Sequence, residues 1–418
     1  MTSNRERDSI ATADLVARRS YGKLIAFLSA RTHDVASAED ALAEAFTTAL
    51  VDWPAHGCPT NPEAWLLTVA RRRIIDAQRR QATAESASET LRVLTDQSID
   101  AAETEIPDRR LALLFVCAHP AIDPTIRAPL MLQGVLGLDA KAIASAFLVA
   151  PATMGKRLVR AKTKIRENAI PFVIPDREEL PVRLNSVLDA IYAAFTEGWT
   201  DPGGTDLVRR DLTHEALFLV RLVIELLPNE PEAMGLLALM LHAEARRDAR
   251  RKSTEEFVPF SEQNQELWNW DMIKEAEALL LQASALGTIG RYQLEAALQS
   301  AHVYRVRTGR SNWEDVVQLY DVLFKLAPSP VIEINRAAAI AELKGAQTAL
   351  EVLGEIAADP RVAEYQPYWA TRADLLARLG AKEEASQAYQ LAIGLERDPA
   401  VRRFLQKRNS QLTKLTSA

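Results

Sequence analysis

The strongest constraint in this sequence is a helical period that keeps restarting. Near the end of the chain, Trp369, Ala373, Gly380, Ala385, Tyr389 and Ala392 fall at the spacing of two packed helices, and Pro399 follows. EDVVQLYDVLFKLAPSP (314–330) has the same second helix and closing proline. INRAAAIAELKGAQTALEVLGEIAADP (334–360) gives a further copy, and THEALFLVRLVIELLPNEP (213–231) the same helix-then-proline ending. Small residues at these positions let paired helices approach closely, and each proline stops one helix before the next begins. KSTEEFVPFSEQNQELWNW (252–270) interrupts the pattern as a loop feeding another helix. With only 16 glycines in 418 residues, and alanine and leucine abundant, composition leans the same way. The expected fold is all-α, with residues 171–418 forming an α-solenoid of helix pairs.

The front of the chain is organised differently. A helical block runs from about Asp14 to Asp52 and is broken by DWPAHGCPTNP (52–62), which holds three prolines and a glycine. A second helix is expected from Pro62 to Arg80. Residues 83–107 lose the apolar pattern and read as a flexible linker between two small helical domains, 1–82 and 108–170. Charge divides along the same line. Residues 1–170 hold 22 basic and 20 acidic side chains, a net of +2, whereas 171–418 carry a net of −8. That asymmetry suits a front half that meets a polyanion.

Two short segments concentrate the positive charge. PATMGKRLVRAKTKIR (151–166) carries six basic residues and no acidic one from Lys156 onward. It follows LDAKAIASAF (138–147), so the pair reads as helix, tight turn, helix. In such a motif the second helix enters the DNA major groove, its early residues facing base edges and its later cations facing phosphates. Thr153, Lys156, Arg157, Arg160 and Lys164 form the accessible face. Met154, Leu158, Ala161 and Ile165 form the packing face. The second segment, NPEAWLLTVARRRIIDAQRR (61–80), places Arg71, Arg72, Arg73, Arg79 and Arg80 on one helix with a single acid, Asp76. Trp65 lies two turns upstream, and its ring reads first as core. Basic and aromatic residues beside a proline-rich loop suit melted DNA, whose bases can be flipped and stacked.

These residues together resemble the extracytoplasmic-function sigma factors, initiation subunits of bacterial RNA polymerase. ASAEDALAEAFTTAL (36–50) is similar to the family's polymerase-docking segment, which implies docking through Glu39, Asp40, Leu42, Ala43 and Phe46. PEAWLLTVARRRIIDAQRR (62–80) is similar to the segment that melts and reads the −10 promoter element. LDAKAIASAFLVAPATMGKRLVRAKTKIR (138–166) is similar to the helix-turn-helix that reads the −35 element. LPVRLNSVLDAIYAAFTEGW, PNEPEAMGLLALMLHAEAR and LAPSPVIEINRAAAIAE resemble the subgroup with a long tetratricopeptide-like (TPR-like) C-terminal extension. The resemblance implies core RNA polymerase and promoter DNA as partners, a protein or peptide ligand for the extension, and no catalysis.

The remaining chemistry is sparse. His56 and Cys58, and Cys117 and His119, could supply four zinc ligands, but each pair is too closely spaced and the pairs lie far apart. Neither a metal nor a cofactor is expected, since no phosphate-binding glycine loop or nucleophile elbow is found. No apolar run approaches the roughly 18–20 residues of a membrane span. The polar N-terminal stretch MTSNRERDSIATADL lacks a secretory core, so the expected location is the cytoplasm. The competing reading is a helix-turn-helix regulator with a partner-sensing TPR-like array that never joins polymerase. A simple regulator has no need of ASAEDALAEAFTTAL.

Overall fold

The computed structural model describes residues 2–85, 109–147, 149–176, 178–199, 206–250 and 256–414. The expected linker, 83–107, lies almost wholly outside the described residues. Within them the chain is all-α. The first two helices are α1 (Thr2–Thr32) and α2 (Val35–His56). The expected single block thus contains a break at residues 33–34. His33 has φ 54°, and the Asp34 carboxylate caps α2 by accepting from the Ala36 and Ser37 amides. α2 also runs past its expected end and through Pro54. The buried Trp53 anchors that last turn, and the Gly57 amide closes it on the Trp53 carbonyl at 2.9 Å. Gly57 has φ 96°, a conformation that favours glycine at a helix end.

α3 (Pro62–Glu85), α4 (Arg110–Cys117), α5 (Pro124–Leu136), α6 (Ala140–Ala146), α7 (Pro151–Glu167) and α8 (Leu180–Trp199) follow. Proline opens α3, α5 and α7, where its missing N–H costs nothing. Gly137, in the left-handed region at φ 71°, ends α5. α1, α2 and α3 pack on one another, and α4 to α7 form a second cluster.

The contacts divide the chain into two compact units, Met1–Gly198 with Val208–Leu219, and Trp199–Leu207 with Val220–Ala418. The division therefore does not follow the sequence boundaries expected near 83–107 and 171. Within the first unit α1 packs on α4 and α5, and α2 touches α7. The close approach has a local cause. Gly22 of α1 lies so near α5 that a Cβ would collide with the Val135 carbonyl, and the Tyr21 ring covers Gly137.

The second unit continues as helix upon helix. After α9 (Asp206–Leu226) and α10 (Pro231–Glu244) come α11 (Trp270–Ala285), α12 (Arg291–Thr308), α13 (Trp313–Leu326) and α14 (Pro330–Lys344). Then come α15 (Ala346–Glu355), α16 (Pro360–Ala363), α17 (Gln366–Arg378), α18 (Lys382–Leu395) and α19 (Pro399–Lys414). From α10 to α15 each helix packs on its successor, and α17, α18 and α19 continue the series. Small residues set the closest approaches. Gly235 of α10 lies against the backbone of Gln293 in α12, where a Cβ would not fit. The Glu232 carboxylate of α10 accepts from the Tyr292 and Gln293 amides at 3.0 and 3.1 Å, capping α12 from outside. The expected tetratricopeptide signature residues Ala373, Ala385, Tyr389 and Ala392 all lie in one buried cluster.

Candidate nucleic-acid interface

α7 is amphipathic in charge as well as in apolarity. Met154, Leu158, Ala161 and Ile165 are buried, while Thr153, Lys156, Arg157, Arg160 and Lys164 are exposed on the opposite side. The turn before it is tied by the Val149 amide to the Ala144 carbonyl at 2.9 Å. Arg157 also reaches electrostatically to Asp123. That carboxyl is held below its usual range chiefly by hydrogen bonds from Thr125, with Arg157 adding to the effect.

The fourth cation of the run, Lys162, behaves differently. It is 8% exposed, and its ammonium group is paired with Glu39 of α2. Its neighbour Arg166 lies 3.6 Å from the Asp34 carboxylate. The helical register explains both. Lys162 sits four residues after Leu158 and three before Ile165, on the packing face. Lys162 is absent from the accessible face that the spacing selects, and its position agrees with that. Burial raises the Glu39 pKa, and Lys162 opposes that shift. One carboxylate oxygen, Oε1, is buried and has no hydrogen-bond partner. Cys117 is buried in the same region, and desolvation pushes its thiol up to about 12.

On α2 the other docking candidates separate by depth. Asp40 and Ala43 are exposed, Phe46 is half-buried, and Leu42 is fully buried in the core. Leu42 therefore holds the helix in place and offers no surface. The adjacent Glu44 pairs with Arg73 of α3 at 3.2 Å. On α3, Trp65 is half-buried and packs edge-to-face on Trp53, ring centroids 5.5 Å apart. Arg72, Arg73, Asp76 and Arg79 are exposed and Arg71 is half-buried, while the Arg80 side chain lies outside the described residues. Arg71 and Arg79 also interact elsewhere in the chain. On α2, Leu50, which helical spacing places among the apolar positions, is exposed, as is Val51.

The four Cys and His residues weighed as metal ligands are placed separately. His56 pairs with Asp52 at 2.9 Å, Cys58 is exposed, and His119 Nδ1 accepts from the Ala121 amide. No group of three or more candidate ligands occurs among the described residues. No described helix is long and apolar enough to cross a membrane.

Sigma-70 region 2 matches residues 16–83, which covers α2 and most of α1 and α3. The chain therefore carries a sigma-70 region 2 domain, which supports a sigma-70 family sigma factor. The chain is also 39% identical to an uncharacterized protein of Rhizobium meliloti (strain 1021) over 370 residues, covering 86% of each chain. Residues 183–284 match a family of unknown function, DUF6596. No solved structure matches. The sigma-70 family consists of non-enzymatic transcription factors, and region 2 implies core RNA polymerase and promoter DNA as binding partners.

Proposed function

We propose that this chain is an extracytoplasmic-function sigma factor whose α3 and α7 address two promoter elements. The observation that carries the reading is the pairing of a region 2 match at 16–83 with a one-sign exposed face on α7. On α7, Arg157 and Arg160 read base edges of the −35 element, and Lys156 and Lys164 hold phosphates, with Thr153 at the entry of the helix. On α3, Arg71, Arg72, Arg73, Arg79 and Arg80 hold the strand opened at the −10 element, and Asp76 limits how closely phosphates approach. Trp65 acts through packing, because its ring is engaged with Trp53. Polymerase docks on the α2 face that includes Glu39, Asp40, Ala43 and Phe46, with Leu42 supporting it from beneath.

Residues 171–418 serve as a TPR-like regulatory extension that takes a protein or peptide ligand. Its support is the sequential packing of helices ended or opened by proline. The test is in vitro transcription by core RNA polymerase with the full-length chain on a promoter library. Initiation at a defined subset of promoters is expected. A chain that binds DNA yet is never retained by core polymerase would instead be a helix-turn-helix regulator.

A further inference from the structure

Asn335, Ala338 and Glu342 recur at i, i+3 and i+7 on α14, and Thr371, Asp374 and Arg378 do the same on α17, so each set shares one helix face. In the second unit these two faces line a cavity of about 430 Å³, which residues of α12, α13, α18 and α19 complete. That volume lies within the roughly 300–1,000 Å³ of small-molecule sites. Alanine at 338 and 370 leaves the room, and the rings of Trp313, Tyr320, Tyr389 and Phe404 supply an apolar wall.

The charges around the cavity are unevenly committed. The carboxylates of Glu342 and Asp374 are both held by Arg378, at 2.6 and 2.8 Å. Arg408 makes no hydrogen bond among the described residues. It lies over the Phe404 ring, 5.3 Å from the centroid, and its counter-charge Glu262 is 3.8 Å away, beyond hydrogen-bond range. Burial pushes the Tyr320 and Tyr389 hydroxyls up to about 12, so both stay protonated and able to donate. The cavity thus combines an aromatic wall, hydroxyl donors and one guanidinium with unfilled donors. Its flank is closed by the segment that precedes α11. There Phe257 packs edge-to-face on Phe404, ring centroids 5.5 Å apart, and Phe260 packs on His302 of α12 at 5.6 Å. A long peptide laid across this flank would have to displace these rings, whereas a compact ligand would not.

We propose that this cavity binds a small aryl carboxylate, its ring against the aromatic wall and its carboxylate on Arg408 in place of Glu262. The inference goes beyond the reading of the extension as a protein- or peptide-binding array and does not rest on it. A planar guanidinium matches a carboxylate through two parallel hydrogen bonds, a geometry that Glu262 does not reach. Glu342 and Asp374 do not oppose the anion, because Arg378 offsets their charge. The Asn335 carboxamide, which has no hydrogen-bond partner among the described residues, pairs with a polar substituent on the ring.

The test is fluorine NMR of the full-length chain with a set of fluorinated aryl carboxylates and their matched primary amides. Acids of the set should bind with Kd at or below about 1 mM, at least about tenfold more tightly than their amides. Arg408→Gln should weaken acid binding about tenfold, and Glu262→Gln should tighten it about threefold by removing the competing carboxylate. A purely structural role for the pair would move both variants the same way. Absence of acid binding, equal binding of the amides, or a shift of both variants in one direction overturns the proposal. Tighter binding of an acetylated peptide of alternating Glu and Phe also overturns it, by making the occupant a macromolecule. Should Arg408→Gln lose helicity, Glu262→Gln decides alone, and unchanged or weaker acid binding there counts against the site. Neither polymerase nor DNA takes part, so each of these failures leaves the sigma reading intact.

Discussion

The exposed face of α7 in the first unit and the helices of the second unit use their cations differently. In the first, the ion pairs that α7 makes among the described residues are those of Lys162 and Arg166, and Lys156, Arg157, Arg160 and Lys164 stand exposed along one face. In the second, arginines are spent on tying helices together. Arg336 of α14 reaches Asp321 of α13 at 2.6 Å, and Arg378 of α17 reaches Glu342 of α14 at 2.6 Å and Asp374 at 2.8 Å. Arg305 stacks on Trp313 at 3.7 Å from the ring centroid. A basic residue carries no functional meaning by type alone. Its meaning depends on whether the fold supplies the counter-charge or leaves it to a partner.

The sharpest test of that contrast lies within α7 itself. Lys162→Ala should destabilise the protein by about 3–5 kcal/mol, because it strands a buried carboxylate. Lys156→Ala, one and a half turns away, should stay within about 0.5 kcal/mol. Urea unfolding of both variants checks this, and equal effects would erase the distinction between the two faces.

Next in size is the acid response of the second unit. His242 is fully buried and its ring nitrogens have no hydrogen-bond partner, the Glu277 carboxylate being 3.5 Å away. Burial lowers the pKa of His242 to about 4, and burial with nearby arginines lowers His302 to about 4. Both folded values lie below the unfolded one, so the folded state holds these rings neutral. Their contribution is complete above about pH 6.5 and is lost as pH falls towards 4, by about 3 kcal/mol for each ring. Acid titration followed by tryptophan fluorescence should show the loss, and His302→Gln should about halve it.

DNA contacts come next. Arg157→Ala should cost about 1–3 kcal/mol of promoter affinity and relax preference at one position. Lys164→Ala should weaken all sequences alike and lower the salt slope by about 1. Filter binding across a salt series separates the two. Smallest of all should be Arg378→Ala in the second unit, worth up to about 1 kcal/mol for a half-exposed pair, with promoter binding unchanged. A large loss of DNA affinity there would place the second unit's arginines among the nucleic-acid contacts and break the comparison.

Much of this was legible in the chain order. Helix α7, its two faces and its opening proline follow from local spacing, and the buried set Met154, Leu158, Ala161 and Ile165 is the one that periodicity selects. The helix-then-proline rhythm likewise marked where Pro231, Pro330 and Pro399 begin new helices. The break at His33–Asp34 was harder to see, because a single capping carboxylate within a continuous apolar pattern leaves a weak signal. The extension of α2 through Pro54 was missed because the burial of Trp53 outweighs the local cost of a proline near a helix end.

By itself, the sequence determined that the chain is helical, where its cations cluster, and which face of α7 they occupy, since helical periodicity and proline act over a few residues. Only the tertiary structure decided which charges remain available. Lys162 and Glu39 stand 123 residues apart, and no local rule pairs them. Nor does local pattern reveal that α1 closes on α5 at Gly22. Burial and counter-charge are properties of what packs alongside, and what packs alongside is set by contacts between residues distant in the chain.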